Sequence, residues 1–139
     1  MEKHRSVLQK YWGYPDFRGI QAEIVGSIAS GKDTLGLMPT GGGKSITFQV
    51  PALSMEGVCV VVTPLIALMK DQVANLKRRN ISAEAIYTGI PRQEIDRILD
   101  NSVFNAVKFL YISPERLSSP IFQQKLSRMK VCFITVDEA

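Results

Sequence analysis

A chain of 139 residues with 45% hydrophobic and 22% charged residues has the make-up of one globular domain with a single core. Its net charge of +4 permits a polyanionic partner without requiring one. The apolar runs are too short to cross a bilayer, and the charged start, MEKHRSVLQKYW, lacks the apolar centre of a signal peptide. The chain is therefore expected inside the cell. Cys59 and Cys132 have no zinc-type spacing and sit in separate apolar runs, so both read as buried core thiols. His4, the sole histidine, reads as a solvated residue of a charged leader.

In chain order, Ile20, Ile24 and Ile28 recur every four residues and predict a helix ended by Ser30-Gly31. DTLGLMP then predicts a short buried strand, followed by TGGGKS and a helix beginning in KSITFQVPAL. VCVVVTP is a second strand. Leu65, Leu68, Met69 and Val73 mark the next helix, and AEAIY a third strand. Ile95, Ile98 and Leu99 mark a helix with Pro91 near its start, and VKFLYISP a fourth strand. Ile121, Phe122, Leu126 and Met129 mark a last helix before the strand VCFITVDEA. Alternation of this kind predicts an α/β domain around a mainly parallel sheet. Its ligands bind beyond the carboxyl ends of the strands.

The stretch MPTGGGKS resembles a phosphate-binding loop but places Met38 where the strict pattern G-x-x-x-x-G-K-[ST] has its first glycine. Gly41, Gly42 and Gly43 let several N–H groups converge, and a helix N-terminus follows. Lys44 supplies a cation for the β- and γ-phosphates and Ser45 a hydroxyl for Mg²⁺. The plain alternative is a glycine-rich turn with an exposed lysine. At the far end, Asp137 and Glu138 arrive at the tip of a buried strand. One carboxylate suits Mg²⁺ held through its water shell, and the other suits activation of an attacking water. A solvated acidic strand end is the alternative there.

YPDFRGIQ, MPTGGGKS, VVVTPLIALMKDQV, YISPERL and VDEA occur in this order. Together they resemble the first part of a RecQ-type DNA helicase of superfamily 2. Met-Pro before T-G-G-G-K-S is usual in that family. The resemblance implies a RecA-like P-loop NTPase domain, helices on both faces of its sheet, cut off after the Walker B strand. The second RecA-like domain, zinc-binding region and winged helix lie outside it.

The resemblance further implies ATP with Mg²⁺ as cofactors. Tyr14, Arg18 and Gln21 fall on the adenine-reading segment. Thr40, Gly41, Gly42, Gly43, Lys44 and Ser45 form the phosphate loop; Lys44, Asp137 and Glu138 are catalytic, and Ser45 and Asp137 attend the metal. Thr63, Lys70, Ser113 and Arg116 fall on segments that grip single-stranded DNA. Without the family, Tyr14 reads as a core aromatic, Arg18 as a surface charge and Gln21 as the polar side of its helix. AIYTGI departs from the family's wording, which leaves Tyr87 and Thr88 unassigned.

The function implied is ATP-driven unwinding of DNA with 3′-to-5′ polarity, acting in recombination and repair on single-stranded and partly duplex DNA. The location implied is the cytoplasm or nucleoid if bacterial. An RNA helicase of the same superfamily and a nucleotide-binding module without motor activity are the competing readings. In the family a further strand lies between the Walker A and Walker B strands. Without it, Val131–Asp137 is expected to pair with Leu35–Met38 directly or with another copy of the chain.

Overall fold

A computed structural model of the protein describes residues 2–19, 21–30 and 45–136. The backbone divides into two compact units, Met1–Met55 and Glu56–Ala139.

In the first unit, α1 (Glu2–Trp12), α2 (Gln21–Ala29) and α3 (Ile46–Leu53) pack around Leu8, Val25 and Val50. The charged leader is thus a helix. Leu8 is buried, with Val7 and Trp12 packed beside it, and Gly13 (φ +76°) closes the helix by donating its N–H to the carbonyls of Leu8 and Gln9. The expectation that His4 is a solvated tail residue is overturned. It is half-buried on α1, and its Nδ1 lies 3.0 Å from the Ser54 hydroxyl. Burial, with the charge of Lys3 nearby, lowers the pKa of the imidazole. On α2 the buried apolar residue is Val25, while Ile24 and Ile28 are half-buried. Ile20 and the predicted strand DTLGLMP lie outside the described residues.

The second unit is a parallel sheet with helices on both faces, as the alternation predicts. Among the described residues its strands are β1 (Val58–Val62), β2 (Ala83–Ile86), β3 (Phe109–Ile112) and β4 (Val131–Val136), in the order β2-β3-β1-β4. All three pairings are parallel. Each helix is placed by the alternation of side chains along the strands. Val58, Val60, Val62, Leu110 and Ile112 point to one face, where Ile95, Ile98 and Leu99 of α5 (Arg92–Val103) and Phe122 of α6 (Pro120–Leu126) cover them. On the opposite face, the Tyr111 hydroxyl donates to Gln72 Oε1 of α4 (Ile66–Arg78).

Two details of α4 and α6 differ from the sequence pattern. The buried stripe of α4 is Met69, Gln72 and Leu76, spaced for one helical face, whereas Leu65 is 48% exposed. The last helix ends at Leu126, and Met129 reaches the core from the turn beyond it. β1 is buried at every residue, as a central strand must be. β4 is not: among the described residues it pairs with β1 alone, and Ile134 and Val136 are 54% and 57% exposed. Leu35–Met38 and Asp137 lie outside the described residues. Among the described residues no helix is long and apolar enough to cross a membrane.

Candidate nucleotide and nucleic-acid sites

In the first unit, the segment between α1 and α2 carries the predicted adenine-site residues and is tied down from α1. Arg5 Nε lies 2.9 Å from Asp16 Oδ1, and Gln9 Nε2 donates to the Pro15 carbonyl at 3.0 Å. Asp16 also accepts its neighbour's N–H, from Phe17 at 2.8 Å. The bond from Arg5, followed by that from the Phe17 backbone, holds the Asp16 carboxyl below its usual range. These tethers were missed because Arg5 and Gln9 sit in a stretch read as a leader. Their helical spacing on one side of Leu8 was the available signal.

The tethered segment brings Tyr14, Arg18 and Gln21 together. The Arg18 guanidinium lies 5.4 Å from the Tyr14 ring centroid, a cation–π contact. Gln21 Oε1 accepts the Arg18 N–H at 2.7 Å, and the Gln21 N–H returns to the Arg18 carbonyl at 3.0 Å. Gly19 supplies the left-handed turn (φ +53°) between them. Gln21 is buried, while Tyr14 and Arg18 are exposed. Tyr14 is therefore no core aromatic, and Gln21 is no solvated polar side of its helix.

Ser45 stands at the head of α3, and its side chain does not cap the helix N–H groups. Thr40, Gly41, Gly42, Gly43, Lys44, Asp137 and Glu138 lie outside the described residues. Among the described residues no cluster of three or more His, Cys, Asp or Glu could hold a metal.

In the second unit, the sheet aligns the loops that follow β1, β2 and β3. The Thr63 N–H donates to the Ile112 carbonyl at 3.1 Å and the Ser113 N–H to the Ile86 carbonyl at 3.2 Å. Thr63 and Ser113 are both buried. The Thr63 hydroxyl accepts the Leu65 N–H at 3.3 Å, shaping the entry to α4. Around these buried residues stand exposed ones: Leu65, Ile66 and Lys70. Lys70 Nζ lies 5.0 Å from the Tyr87 ring centroid. Thr88 donates to Glu115 at 3.3 Å, joining the loop after β2 to the 3₁₀ turn Pro114–Arg116. The Glu115 carboxyl is held below its usual range, first by its own backbone N–H and, less strongly, by the Thr88 hydroxyl. Tyr87 and Thr88, unassigned from sequence, thus belong to the same surface.

Beside that surface is a cavity of about 670 Å³, lined by Arg92, Asp96 and Arg116 against Ile90, Ile95 and Ile121. Neither arginine's side chain makes a hydrogen bond or ion pair among the described residues. Asp96 Oδ1 is buried with no hydrogen-bond partner among the described residues.

Comparison with known proteins places these features in a family. Residues 18–139 match the DEAD/DEAH box helicase model. The chain is 40% identical over 140 residues to a probable ATP-dependent DNA helicase, RecS, of Bacillus subtilis (strain 168), covering 100% of this chain and 28% of that protein. It is 40% identical over 134 residues to the ATP-dependent DNA helicase RecQ of Haemophilus influenzae, covering 96% of this chain and 22% of that protein. The chain thus spans roughly a quarter of these curated relatives. The fold resembles the crystal structure of a hypothetical ATP-dependent RNA helicase from Sulfolobus tokodaii, with a TM-score of 0.70, 22% identity, and coverage of 99% of this chain and 41% of that one. At that identity the likeness concerns the fold alone. The chain belongs to the DEAD/DEAH box helicase family, and along its whole length it is similar to DNA helicases of the RecQ and RecS type.

Proposed function

We propose that this chain is the nucleotide-binding part of the first RecA-like domain of a RecQ-type ATP-dependent DNA helicase with 3′-to-5′ polarity, acting in recombination and repair. The observation that carries the reading is the 40% identity to DNA helicases over the full chain. The aligned loops after β1, β2 and β3, rimmed by Lys70 and Arg116, support it. They lie where parallel sheets present ligand sites.

Each group has a task in this reading. Tyr14 packs on the adenine and Gln21 reads its edge, since a side-chain amide offers both donor and acceptor. Thr40, Gly41, Gly42, Gly43 and Lys44 hold the phosphates. Ser45 and Asp137 are the residues that would hold Mg²⁺, which when bound screens phosphate charge. Glu138 orients and deprotonates the attacking water. Buried Thr63 and Ser113 shape the loops from which Lys70 and Arg116 meet the phosphates of a DNA strand. The substrates are single-stranded and partly duplex DNA, and the location is intracellular, cytoplasmic or nucleoid-associated in a bacterium. Among the described residues the second edge of β4 is unpaired, which favours self-association.

The test is ATP hydrolysis by the full-length protein with single-stranded DNA, with RNA of the same sequence, and with neither. Stimulation by DNA and strand separation are expected. Stimulation by RNA alone would assign the protein to RNA, and no response to either would make it a module without motor activity.

A further inference from the structure

Cys59 and Cys132, far apart in sequence and read as separate core thiols, are neighbours. Cys59 is buried on β1, but Cys132 is only half-buried, which corrects its reading as a core thiol. Val58 pairs with Val131 and Cys59 with Phe133, so Cys132 is the extra residue of a bulge on β4. A bulge re-aims the side chain it carries. The pairing sets Cys132 beside Cys59 on the neighbouring strand, near enough for each thiol to shift the other's pKa.

The surroundings hold this arrangement. Gly57 (φ +102°) passes so close behind the bulge that a Cβ there would lie 2.5 Å from the Lys130 carbonyl oxygen and 3.2 Å from the Cys132 nitrogen. The Val58 N–H donates to that same carbonyl at 2.8 Å. Lys108, half-buried, donates to the Gly57 carbonyl at 2.7 Å and sets its positive charge beside the thiols. Burial pushes the Cys59 thiol well up. The neighbouring Cys59 thiol, aided by the charge of Lys108, brings Cys132 down to about 7. The accessible sulfur is therefore the one that ionises, and thiolate character with exposure selects the attacking cysteine. Adjacent strands lie about 4.8 Å apart, within the roughly 4.4–6.8 Å between Cα atoms that a disulfide spans.

We propose that Cys59 and Cys132 form a reversible covalent modification site, a dithiol that a hydroperoxide converts to a disulfide linking β1 to β4. The Cys132 thiolate attacks the terminal oxygen of the hydroperoxide. The O–O bond breaks, the alkoxide or hydroxide leaves with a proton, and Cys132 becomes a sulfenic acid. The Cys59 sulfur then attacks the Cys132 sulfur. The S–O bond breaks, hydroxide departs as water with the Cys59 proton, and the S–S bond forms. Two thiols lose two electrons, and one hydroperoxide is reduced to an alcohol, or water, and water. A dithiol reductant reverses the change. The site is independent of the nucleotide reading.

The experiment treats the reduced full chain with hydrogen peroxide, alkylates it after denaturation, and identifies the products by mass spectrometry. The expected product is an intramolecular Cys59–Cys132 disulfide, returned to two alkylatable thiols by dithiothreitol. In Cys59→Ala the reaction stops at a Cys132 sulfenic acid that dimedone captures, and in Cys132→Ser Cys59 stays reduced. Phenylarsine oxide gives a check on the unmutated chain, where native protein is expected to bind one equivalent across the pair. Cys59 remaining alkylatable while Cys132 is over-oxidised or forms dimers between chains would overturn the proposal. So would a folded chain that binds no arsenical.

Discussion

The side-chain oxygen of Gln21 accepts the backbone N–H of Arg18 at 2.7 Å, so the residue assigned to the adenine edge also braces the segment that holds Arg18 and Tyr14. Gln21→Ala therefore carries two effects. Loss of the hydrogen bond costs about 1 kcal/mol of local stability. Loss of edge recognition relaxes the preference for ATP over GTP, since a site built to hydrogen-bond one base rejects a base that leaves its groups unpaired. Turnover on the two nucleotides in the full-length protein checks this. An unchanged ratio alongside lowered stability would leave Gln21 with only the bracing role.

Lys44→Ala is expected to remove productive ATP use, because the proposed function gives its cation to the β- and γ-phosphates. Transition-state stabilisation of several kcal/mol corresponds to a fall on the order of hundreds-fold in rate. Steady-state hydrolysis by the full-length protein measures it, and activity within roughly tenfold of the unmutated enzyme would remove Lys44 from the catalytic set.

Arg116 and Arg92 line one cavity next to the loops after β2 and β3 and, among the described residues, have no acidic partner within ion-pair distance. If a DNA strand crosses this surface, each arginine neutralises one phosphate. Arg92→Ala and Arg116→Ala should then weaken single-stranded DNA binding across sequences and each reduce the salt slope by about 1. Fluorescence anisotropy over a salt series reads the slope. Equal slopes in mutant and parent would place the strand elsewhere.

Gly57→Ala is expected to destabilise the second unit by about 1–3 kcal/mol, since its φ of +102° disfavours a side chain. The added Cβ would strike the backbone carbonyl of Lys130, which cannot swing aside as a side chain does. The junction of β1 and β4 must shift to accept it. Urea unfolding gives the magnitude, and a change within 0.5 kcal/mol, about the scatter of a neutral surface substitution, would show that the junction yields freely.

The exposed β4 residues Ile134 and Val136 give the self-association proposal its test. An open, apolar strand edge recruits another strand unless charge opposes it. The chain is expected to associate with rising concentration, and Ile134→Lys to suppress this. Light scattering on both proteins distinguishes the outcomes. A monomer at every concentration would mean that the edge is closed within the chain, for example by Leu35–Met38.

Much of this protein is set locally and is legible in the sequence. VCVVV and FLYI are short, β-branched or aromatic, and free of charge, and they form the buried strands β1 and β3. Ile95, Ile98 and Leu99 recur at helical spacing and form the buried side of α5. The order of the motifs already indicated a helicase. What required the tertiary structure is whatever depends on partners distant in the chain. Parallel pairing joins strands that are not adjacent in sequence, so the order β2-β3-β1-β4 has no local signature. Nothing near Gln72 in the sequence signals its partner Tyr111, which arrives from β3 to bond it. His4 and Arg5 look like a charged leader until Ser54 and Asp16 come to meet them. Cys59 and Cys132 look like two unrelated core thiols because the β1–β4 pairing, a property of two strands together, is what makes them neighbours.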